Sequence, residues 1–216
     1  MKVMQLPLTA KTAKMYTVVL SLKYFFIGTL IALCSMPVPA AADNGDVPLE
    51  LQVKLFLTAL TYDKNLEKRA DALLNIGIVY FTDDLLSKKE AEDFAKTLEE
   101  FKDKKISGRN FTAMLLTWNG NGDLKKKIIE GEIDVIFMAG GRKQQVEELL
   151  KVTQSEKILS CTSKAEYVST CGVTMAVGLK DNKPKIYLNI SSAKREGADF
   201  SAKFLRVAEI VDEESR

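Results

Sequence analysis

Residues 172–211 read GVTMAVGLKDNKPKIYLNISSAKREGADFSAKFLRVAEIV, and this stretch decides the fold that the sequence predicts. It opens with an apolar run at residues 173–179. Turn chemistry follows at residues 181–184, because Asn tolerates positive φ and Pro ends a ladder. Apolar and polar side chains then alternate over residues 186–190, which is the period of a half-buried strand. The pattern predicts an antiparallel hairpin.

The second half of the stretch predicts helix. Residues 191–194 favour a short helical turn that ends at Gly197. Apolar side chains then recur at spacings near 3.6, as they do on an amphipathic helix that packs against a sheet. These side chains are Phe200, Phe204, Leu205, Ala208 and Ile210. No part of the stretch resembles a catalytic motif.

Upstream of the hairpin, apolar runs alternate with helical patterns. A first helix is introduced by Val47-Pro48 and presents its apolar face from Val53 to Leu60. Strands are expected at residues 73–81, 111–118, 133–139 and 157–161, with helices between them. The sequence therefore predicts an α/β fold. We expect a three-layer, Rossmann-like sandwich whose mostly parallel sheet ends in a C-terminal antiparallel hairpin and a closing helix.

The segment IYLNISSAKREGADFSAKFLRVAEIV, residues 186–211, resembles the C-terminal signature of the YfiR-like periplasmic family. That signature is a strand ending in Asn, a small-residue turn, a Gly, and a helix of the form FSAxLLxxAxxV. The likeness extends, less specifically, back to about Leu49 through VKLFLTALTYDKNL, LLNIGIVYF and DVIFMAG. It implies a small periplasmic α/β protein without catalytic residues.

The resemblance also implies a role. The best-understood members bind the periplasmic sensor portion of an inner-membrane diguanylate cyclase and hold it inactive. They act as dimers and link envelope conditions, including redox state through disulfides, to cyclic-di-GMP and biofilm formation. The resemblance thus implies a non-catalytic regulator, a membrane sensor as partner, and a homodimer. Two features depart from the regulatory members: LTALTYDKNLEKRADAL replaces their aromatic-rich first helix, and a single cysteine pair is available.

Residues 1–42 have the composition of a signal peptide. They contain four Lys and no acidic residue, an apolar run at residues 24–38, and an Ala-rich end that allows cleavage between Ala42 and Asp43. An uncleaved membrane anchor is the alternative, since residues 15–36 are long enough to span. Because all three parts of a leader agree, we favour cleavage, export to the periplasm, and a single domain at residues 43–216.

The net charge argues against a nucleic-acid partner. The whole chain carries 31 basic and 29 acidic residues, a formal net charge of +2. Without the four lysines of the leader, 27 basic residues stand against 29 acidic ones, which gives a net charge of −2. A nearly neutral domain lacks the basic footprint of a nucleic-acid-binding protein.

Removal of the leader takes Cys34 and leaves Cys161 and Cys171. An even pair in an oxidising compartment favours a disulfide over two separate buried thiols.

The composition argues against catalysis. The chain has no His, which removes the usual metal ligand and the usual general base at neutral pH. Two cysteines ten residues apart are too few for a clustered zinc site. No nucleophile elbow, Walker A motif or EF-hand loop is present. The sequence predicts no catalytic residue, no metal site and no cofactor.

Two glycine loops follow predicted strands. Their residues are Gly120, Gly122, Gly140, Gly141 and Arg142. Ligands of open α/β sheets bind beyond the carboxyl ends of strands, where helix N-termini offer N–H groups. These loops could hold a small anion, with Trp118 as a stacking face, and a small-solute-binding protein is the alternative function. Plain tight turns are the simpler interpretation and the one we favour. Trp118 fits core packing and a contact surface equally well.

Overall fold

A seven-stranded sheet forms the frame of the molecule. The computed structural model describes residues 47–211, apart from residues 121 and 132. Within them the strands are β1 (Leu73–Phe81), β2 (Asn110–Trp118), β3 (Val135–Met138), β4 (Leu159–Thr162), β5 (Met175–Lys180), β6 (Lys183–Leu188) and β7 (Glu209–Ile210). Their order in the sheet is β2-β1-β3-β4-β5-β6-β7. Strands β1 to β5 are parallel, β6 is antiparallel to β5, and β7 is parallel to β6.

Helices cover both faces of this sheet. They are α1 (Leu49–Leu60), α2 (Leu66–Arg69), α3 (Leu85–Glu99), α4 (Asp123–Gly131), α5 (Lys143–Glu156), α6 (Glu166–Thr170), α7 (Ile190–Arg195) and α8 (Ala202–Leu205). Alternate side chains of β1 enter two different cores, because successive residues of a strand point to opposite faces. Ile76 and Ile78 join the core under α1 and α3, whereas Val79 and Phe81 join the core under α4 and α5. The predicted three-layer α/β fold is confirmed.

Local chemistry explains where α3 and β4 begin. The Asp84 carboxylate accepts hydrogen bonds from the backbone N–H groups of Leu86 and Ser87, at 2.9 and 3.0 Å, and caps α3. Lys157 lies in the left-handed region at φ 60° and ends α5, so β4 begins at Leu159 rather than at residue 157.

The hairpin turn is shorter than the sequence predicts. Asp181 and Asn182 both have positive φ, 52° and 57°, as the central residues of a two-residue turn must have when it matches the twist of its strands. Pro184 therefore lies inside β6 and not in the turn. The missing N–H of Pro184 is tolerated because β7 pairs only with Tyr187 and Leu188, at the far end of β6.

The closing helix is present, but the predicted extent of it is wrong. Helix α8 ends at Leu205, and residues 209–210 form strand β7. Phe204 is already buried by this single turn, and its ring stacks on Tyr62 with centroids 5.3 Å apart. The backbone beyond α8 gains more by pairing with β6 than by continuing the helix, since an unpaired edge leaves backbone groups without partners.

Hydrogen bonds join the chain segment that follows α1 to the segment that precedes α8. Asp63 is buried and accepts from the Arg69 guanidinium and, at 2.9 Å, from the Asp199 N–H. The Lys64 N–H donates back to the Asp199 carbonyl at 2.9 Å. The contact between Asp63 and Asp199 joins residues 136 positions apart in the sequence.

The predicted disulfide is not formed in the structure. Cys161 and Cys171 are both buried thiols. Cys161 belongs to the core under α1 and α3, and Cys171 belongs to the core on the other face of the sheet. A disulfide needs Cβ atoms about 3.8 Å apart, which two side chains on opposite faces do not reach. Burial raises the pKa of the Cys161 thiol well above its ordinary value.

The predicted leader and its cleavage site at Ala42 and Asp43 lie outside the described residues. No helix between residues 47 and 211, as far as the structure describes them, is long and apolar enough to cross a membrane.

Candidate functional site

A cleft of about 310 Å³ opens at the carboxyl ends of β3 and β4. It lies among α1, α3 and β5, and we call it the strand-end cleft. In open parallel sheets ligands bind at this end, outside the strands. The polar residues of the cleft are Gln52, Lys89, Glu90, Asp93, Ser163 and Lys164.

The floor of the strand-end cleft is aromatic. The rings of Phe94, on α3, and Phe137, on β3, stack with centroids 3.6 Å apart and planes 11° from parallel. Phe56 of α1 meets both rings edge-on, at 5.6 and 6.2 Å. Phe94 and Phe137 line the cleft and Phe56 does not, and all three rings are buried, so packing fixes this apolar floor.

Glu90 forms the polar wall of the cleft. Its Oε2 accepts from the Gly140 N–H at 3.0 Å, and its Oε1 accepts from the Ser163 hydroxyl in a short contact. This one carboxylate joins α3 to the loops after β3 and β4. A Cβ at position 140 would lie 3.2 Å from both Glu90 Oε2 and Lys164 Cε, so glycine permits the close approach.

Two exposed leucines border the cleft. Leu85 and Leu86 open α3 and are 82% and 79% exposed, and we call them the leucine rim. They are the most exposed of the large apolar side chains that the structure describes. Leu86 also lines the strand-end cleft, where Lys89 and Asp93 follow it on α3. The rim therefore presents apolar surface beside charges of both signs.

The Gly140-Gly141-Arg142 loop uses its N–H groups internally. The Gly140 N–H donates to Glu90, as described above, and the Gly141 N–H donates to the Tyr167 hydroxyl at 3.4 Å. The Arg142 N–H donates to Gln145 Oε1 at 3.1 Å. A Cβ at position 141 would collide with the Phe81 ring, so this glycine is required for packing. The geometry favours the tight-turn interpretation over an anion site.

The other predicted contact residues do not meet at the cleft. Gly120 and Gly122 have φ of 75° and 74° and open space beside them, so their backbone conformation explains the glycines. Trp118 is buried in the core under α4 and α5. The core-packing alternative for Trp118 therefore holds.

Sequence reasoning missed the residues of the cleft. Glu90 lies in KKEAED, a charged run with nothing to mark one carboxylate as inward-facing. The positions of Leu85 and Leu86 did carry a signal. They directly follow the Asp84 cap, and they do not share the helix face on which Ala91, Phe94 and Leu98 are buried. Two adjacent leucines outside the inward face of a helix indicate a contact surface.

A second carboxylate, Glu196, lies in the interior. It is fully buried and accepts from the Thr153 hydroxyl at 2.6 Å and the Thr174 hydroxyl at 2.7 Å. Ser160 donates to it twice, from its N–H at 2.7 Å and its hydroxyl at 3.0 Å. Burial raises the pKa of Glu196 above its ordinary value, against the lowering effect of these hydrogen bonds. Its partners lie on α5, on β4 and just before β5, so the cluster ties these elements together.

Solved structures place the chain in a broad fold class. It is similar to the ABC domain from Streptococcus pneumonia in complex with L-Trp, with a TM-score of 0.52, 15% identity, and coverage of 76% of this chain and 62% of that one. It is also similar to a conserved domain protein from Vibrio cholerae (TM-score 0.53, 15% identity, coverage 76% and 60%). The third is the ligand-free, open form of CD0873, a substrate-binding protein with adhesive properties from Clostridium difficile (TM-score 0.54, 14% identity, coverage 78% and 61%).

This chain spans about three-fifths of the length of those structures, and at such identities the likeness concerns the fold alone. What they share with this chain is an α/β fold. A comparison with curated proteins gives no significant match.

The YfiR/HmsC-like family model matches residues 67–209, and the chain belongs to that family. The resemblance seen in residues 186–211 is thereby confirmed. At the level of the family, membership supports a periplasmic, non-catalytic regulatory protein in cyclic-di-GMP signalling. The matched region begins within α2, so α1, which forms one wall of the strand-end cleft, precedes it.

Proposed function

We propose that this protein binds the periplasmic part of an inner-membrane sensor, a diguanylate cyclase, and holds it inactive. The contact surface is the leucine rim together with the strand-end cleft. Membership of the YfiR/HmsC-like family supports the regulatory role. The observation that carries the choice of surface is a pair of adjacent exposed leucines, one of which, Leu86, lines an apolar-floored cleft.

The physical case for this surface rests on apolar area. Burying a leucine side chain that is exposed in the free protein contributes about 1.5–3 kcal/mol. Interfaces draw most of their affinity from a few such anchors, surrounded by polar residues that contribute little. The leucine rim supplies the anchors, and Lys89, Asp93 and Lys164 supply polar surroundings of both signs.

The test is repression in cells that carry the cognate membrane-bound cyclase. The full chain should lower cellular cyclic-di-GMP, and the double variant Leu85→Lys, Leu86→Lys should lose that effect. Val207→Lys is the matched control, since Val207 is another exposed apolar residue, at 60%, outside the cleft lining. Equal repression by both variants would remove the leucine rim from the proposal. Capture from envelope membranes that recovers no membrane-bound sensor would remove the partner class.

In this proposal residues 1–42 are a signal peptide, cleaved between Ala42 and Asp43, and residues 43–216 act in the periplasm. The intact mass of the protein purified from the periplasm tests this directly. A mass that begins at Asp43 supports it. A protein that keeps its leader and remains with the membrane fraction would instead indicate an anchor.

A second candidate function is the binding of a small solute. The aromatic floor and the mixed charges favour the strand-end cleft for this purpose, and its volume lies at the lower end of the range for ligand pockets. Two structural neighbours, a complex with L-Trp and a substrate-binding protein, agree with this class of activity. Two variants separate the sites in a thermal-shift screen of small polar solutes. Loss of a shift on Lys164→Ala would locate binding in the cleft, and loss on Arg142→Ala would locate it in the Gly140–Arg142 loop. A screen without any shift would remove this candidate.

A further inference from the structure

A small basic cavity lies between α1 and the loop that follows α3. Its volume is about 90 Å³. Its lining residues are Lys54, Leu57, Thr58 and Thr61 on the side of α1, and Lys104, Lys105 and Ile106 on the side of the loop. We call this cavity the lysine notch. It shares no lining residue with the strand-end cleft, so it is a separate feature of the surface.

One face of α1 forms the first wall of the lysine notch. The four residues of this wall, from Lys54 to Thr61, are spaced at i, i+3, i+4 and i+7, which places them on one side of a helix. The Thr58 hydroxyl donates to the Lys54 carbonyl at 2.6 Å, and the Thr61 hydroxyl donates to the Thr58 carbonyl at 2.7 Å. Both hydroxyl hydrogens are therefore used by the backbone of α1. The donor that this wall can offer a ligand is the Lys54 ammonium group.

The loop that forms the second wall is held by its backbone. The Lys104 N–H donates to the Phe101 carbonyl at 2.9 Å. Ile106 and Arg109 exchange two backbone hydrogen bonds of 2.9 Å around a two-residue turn, whose central residues have φ of 49° and 82°. The Ile106 side chain is buried, whereas Lys104 and Lys105 before it are exposed. The two lysines therefore extend from a fixed backbone into solvent.

The lysine notch concentrates positive charge without carboxylates. None of its three lysines forms an ion pair with a carboxylate in the part of the chain that the structure describes. Lys102, nearby in the same loop, does pair, with Glu99 at 3.0 Å. The lining of the notch has no acidic residue, whereas Glu90 and Asp93 line the strand-end cleft. Like charges around one cavity repel one another, and an anion between them relieves that repulsion.

We propose that the lysine notch binds a single phosphate group. An ammonium group has three donors and no acceptor, so a ligand that satisfies three such groups is an anion that accepts hydrogen bonds on several sides. Phosphate meets this requirement, and lysine binds phosphate as a point charge. The volume of about 90 Å³ is roughly three times the share of one water molecule in the liquid, which suits one tetrahedral oxyanion and is too small for a nucleotide.

Inorganic phosphate is the probe that tests the site. The protein is expressed as the full chain and purified, and phosphate is titrated at constant ionic strength against chloride while backbone amides are followed by NMR. The amide signals of residues 104–106 should move with added phosphate. The variant Lys54→Ala, Lys105→Ala removes one lysine from each wall and should raise the dissociation constant about tenfold or more. Lys104 is kept, because its Nζ lies 4.7 Å from the centre of the Phe101 ring and packs there.

A matched variant controls for the loss of charge. Lys194→Ala, Lys203→Ala removes the same two charges from exposed lysines that do not line the notch. It should leave the dissociation constant for phosphate unchanged. Thermal unfolding in chloride should be similar for wild type and both variants, since all four substituted side chains are exposed.

Vesicles distinguish the two sources of a phosphate group, free phosphate and a lipid headgroup. Co-sedimentation is compared between vesicles of phosphatidylcholine and vesicles that contain phosphatidylglycerol, whose phosphate charge no second charge offsets. Binding to phosphatidylglycerol that the notch variant loses and the control keeps assigns the site to a lipid headgroup. Binding of inorganic phosphate without binding to vesicles assigns it to the free ion.

Two results would overturn the inference: neither probe binds, or the notch variant binds both as wild type does. The inference is independent of the leucine rim. Lys54→Ala, Lys105→Ala should still repress the cyclase through that rim, so failure here and failure of the proposed function are distinguishable.

Discussion

The carboxylates of Glu90 and Glu196 accept similar hydrogen bonds but lie in different surroundings. Each joins elements distant in sequence by accepting from backbone N–H and hydroxyl donors. Glu90 is half-buried at the wall of the strand-end cleft, where water can replace a lost hydrogen-bond partner. Glu196 is fully buried, and no water is at hand there to replace a lost partner. The comparison teaches that the surroundings of a carboxylate, more than its hydrogen bonds, decide whether it serves the fold or remains available to a ligand.

The largest expected effect is on Glu196. Glu196→Ala leaves the Thr174 hydroxyl and the Ser160 N–H without their acceptor in the interior, whereas the Thr153 hydroxyl keeps the Leu150 carbonyl at 3.0 Å. We expect the free energy of unfolding to fall by about 3–5 kcal/mol, measured by urea denaturation of the purified protein. Glu196→Gln keeps an acceptor and should lose less. If Glu196→Ala unfolds like wild type, the buried cluster is not what holds α5, β4 and β5 together.

A smaller loss is expected at Glu90. Glu90→Ala should lower the free energy of unfolding by about 1 kcal/mol, because solvent at the cleft can satisfy the Gly140 N–H and the Ser163 hydroxyl. Glu92, on the exposed side of the same helix, pairs with Lys88 at 3.7 Å and provides the control. Glu92→Ala should change stability by less than about 0.5 kcal/mol. A loss at Glu90 as large as that at Glu196 would contradict the contrast drawn above.

The smallest expected effect is in the pH dependence. Because burial raises the folded-state pKa of Glu196 above its ordinary value of 4.5, the folded protein favours the protonated form. The stabilisation is therefore complete below the unfolded pKa and is lost as the pH rises through the folded pKa. Glu196→Gln lacks this titration, so the stability lost on that substitution should be greater near pH 4.5 than at neutral pH. Denaturation of both proteins across this range is the measurement. A difference that stays constant with pH would mean that Glu196 keeps its ordinary pKa.

The sheet was predictable because its signals are local. Strand β1 was found with its observed bounds, since a run of nine residues, all except Asn75 and Gly77 apolar or aromatic, stands between charged segments. The Asp84 cap and the positive φ of Asn182 follow from the preferences of single residues. The C-terminal helix was overextended because apolar spacing cannot tell one helical turn followed by an edge strand from a continuous helix.

The site was less predictable because it depends on which elements meet. The two cysteines illustrate the difficulty: the compartment favours a disulfide, but only the fold puts Cys161 and Cys171 on opposite faces of the sheet. The Gly140–Arg142 loop was expected to offer N–H groups, and its acceptors come from Glu90, Tyr167 and Gln145. The first two lie on other helices, so the sequence of the loop gives no indication that its donors are taken.

The contacts of Asp63 with Arg69 and Asp199 bear on how the chain matures. Synthesis from the N-terminus makes α1 available early and the residues around Asp199 late. The hydrogen bond between Asp63 and Asp199 therefore forms late, and closure of so long a loop is slow. Deletion of residues 197–211 should remove the partners of Tyr62, Asp63 and Lys64, loosen the segment that follows α1, and leave shortened chains more open to proteolysis.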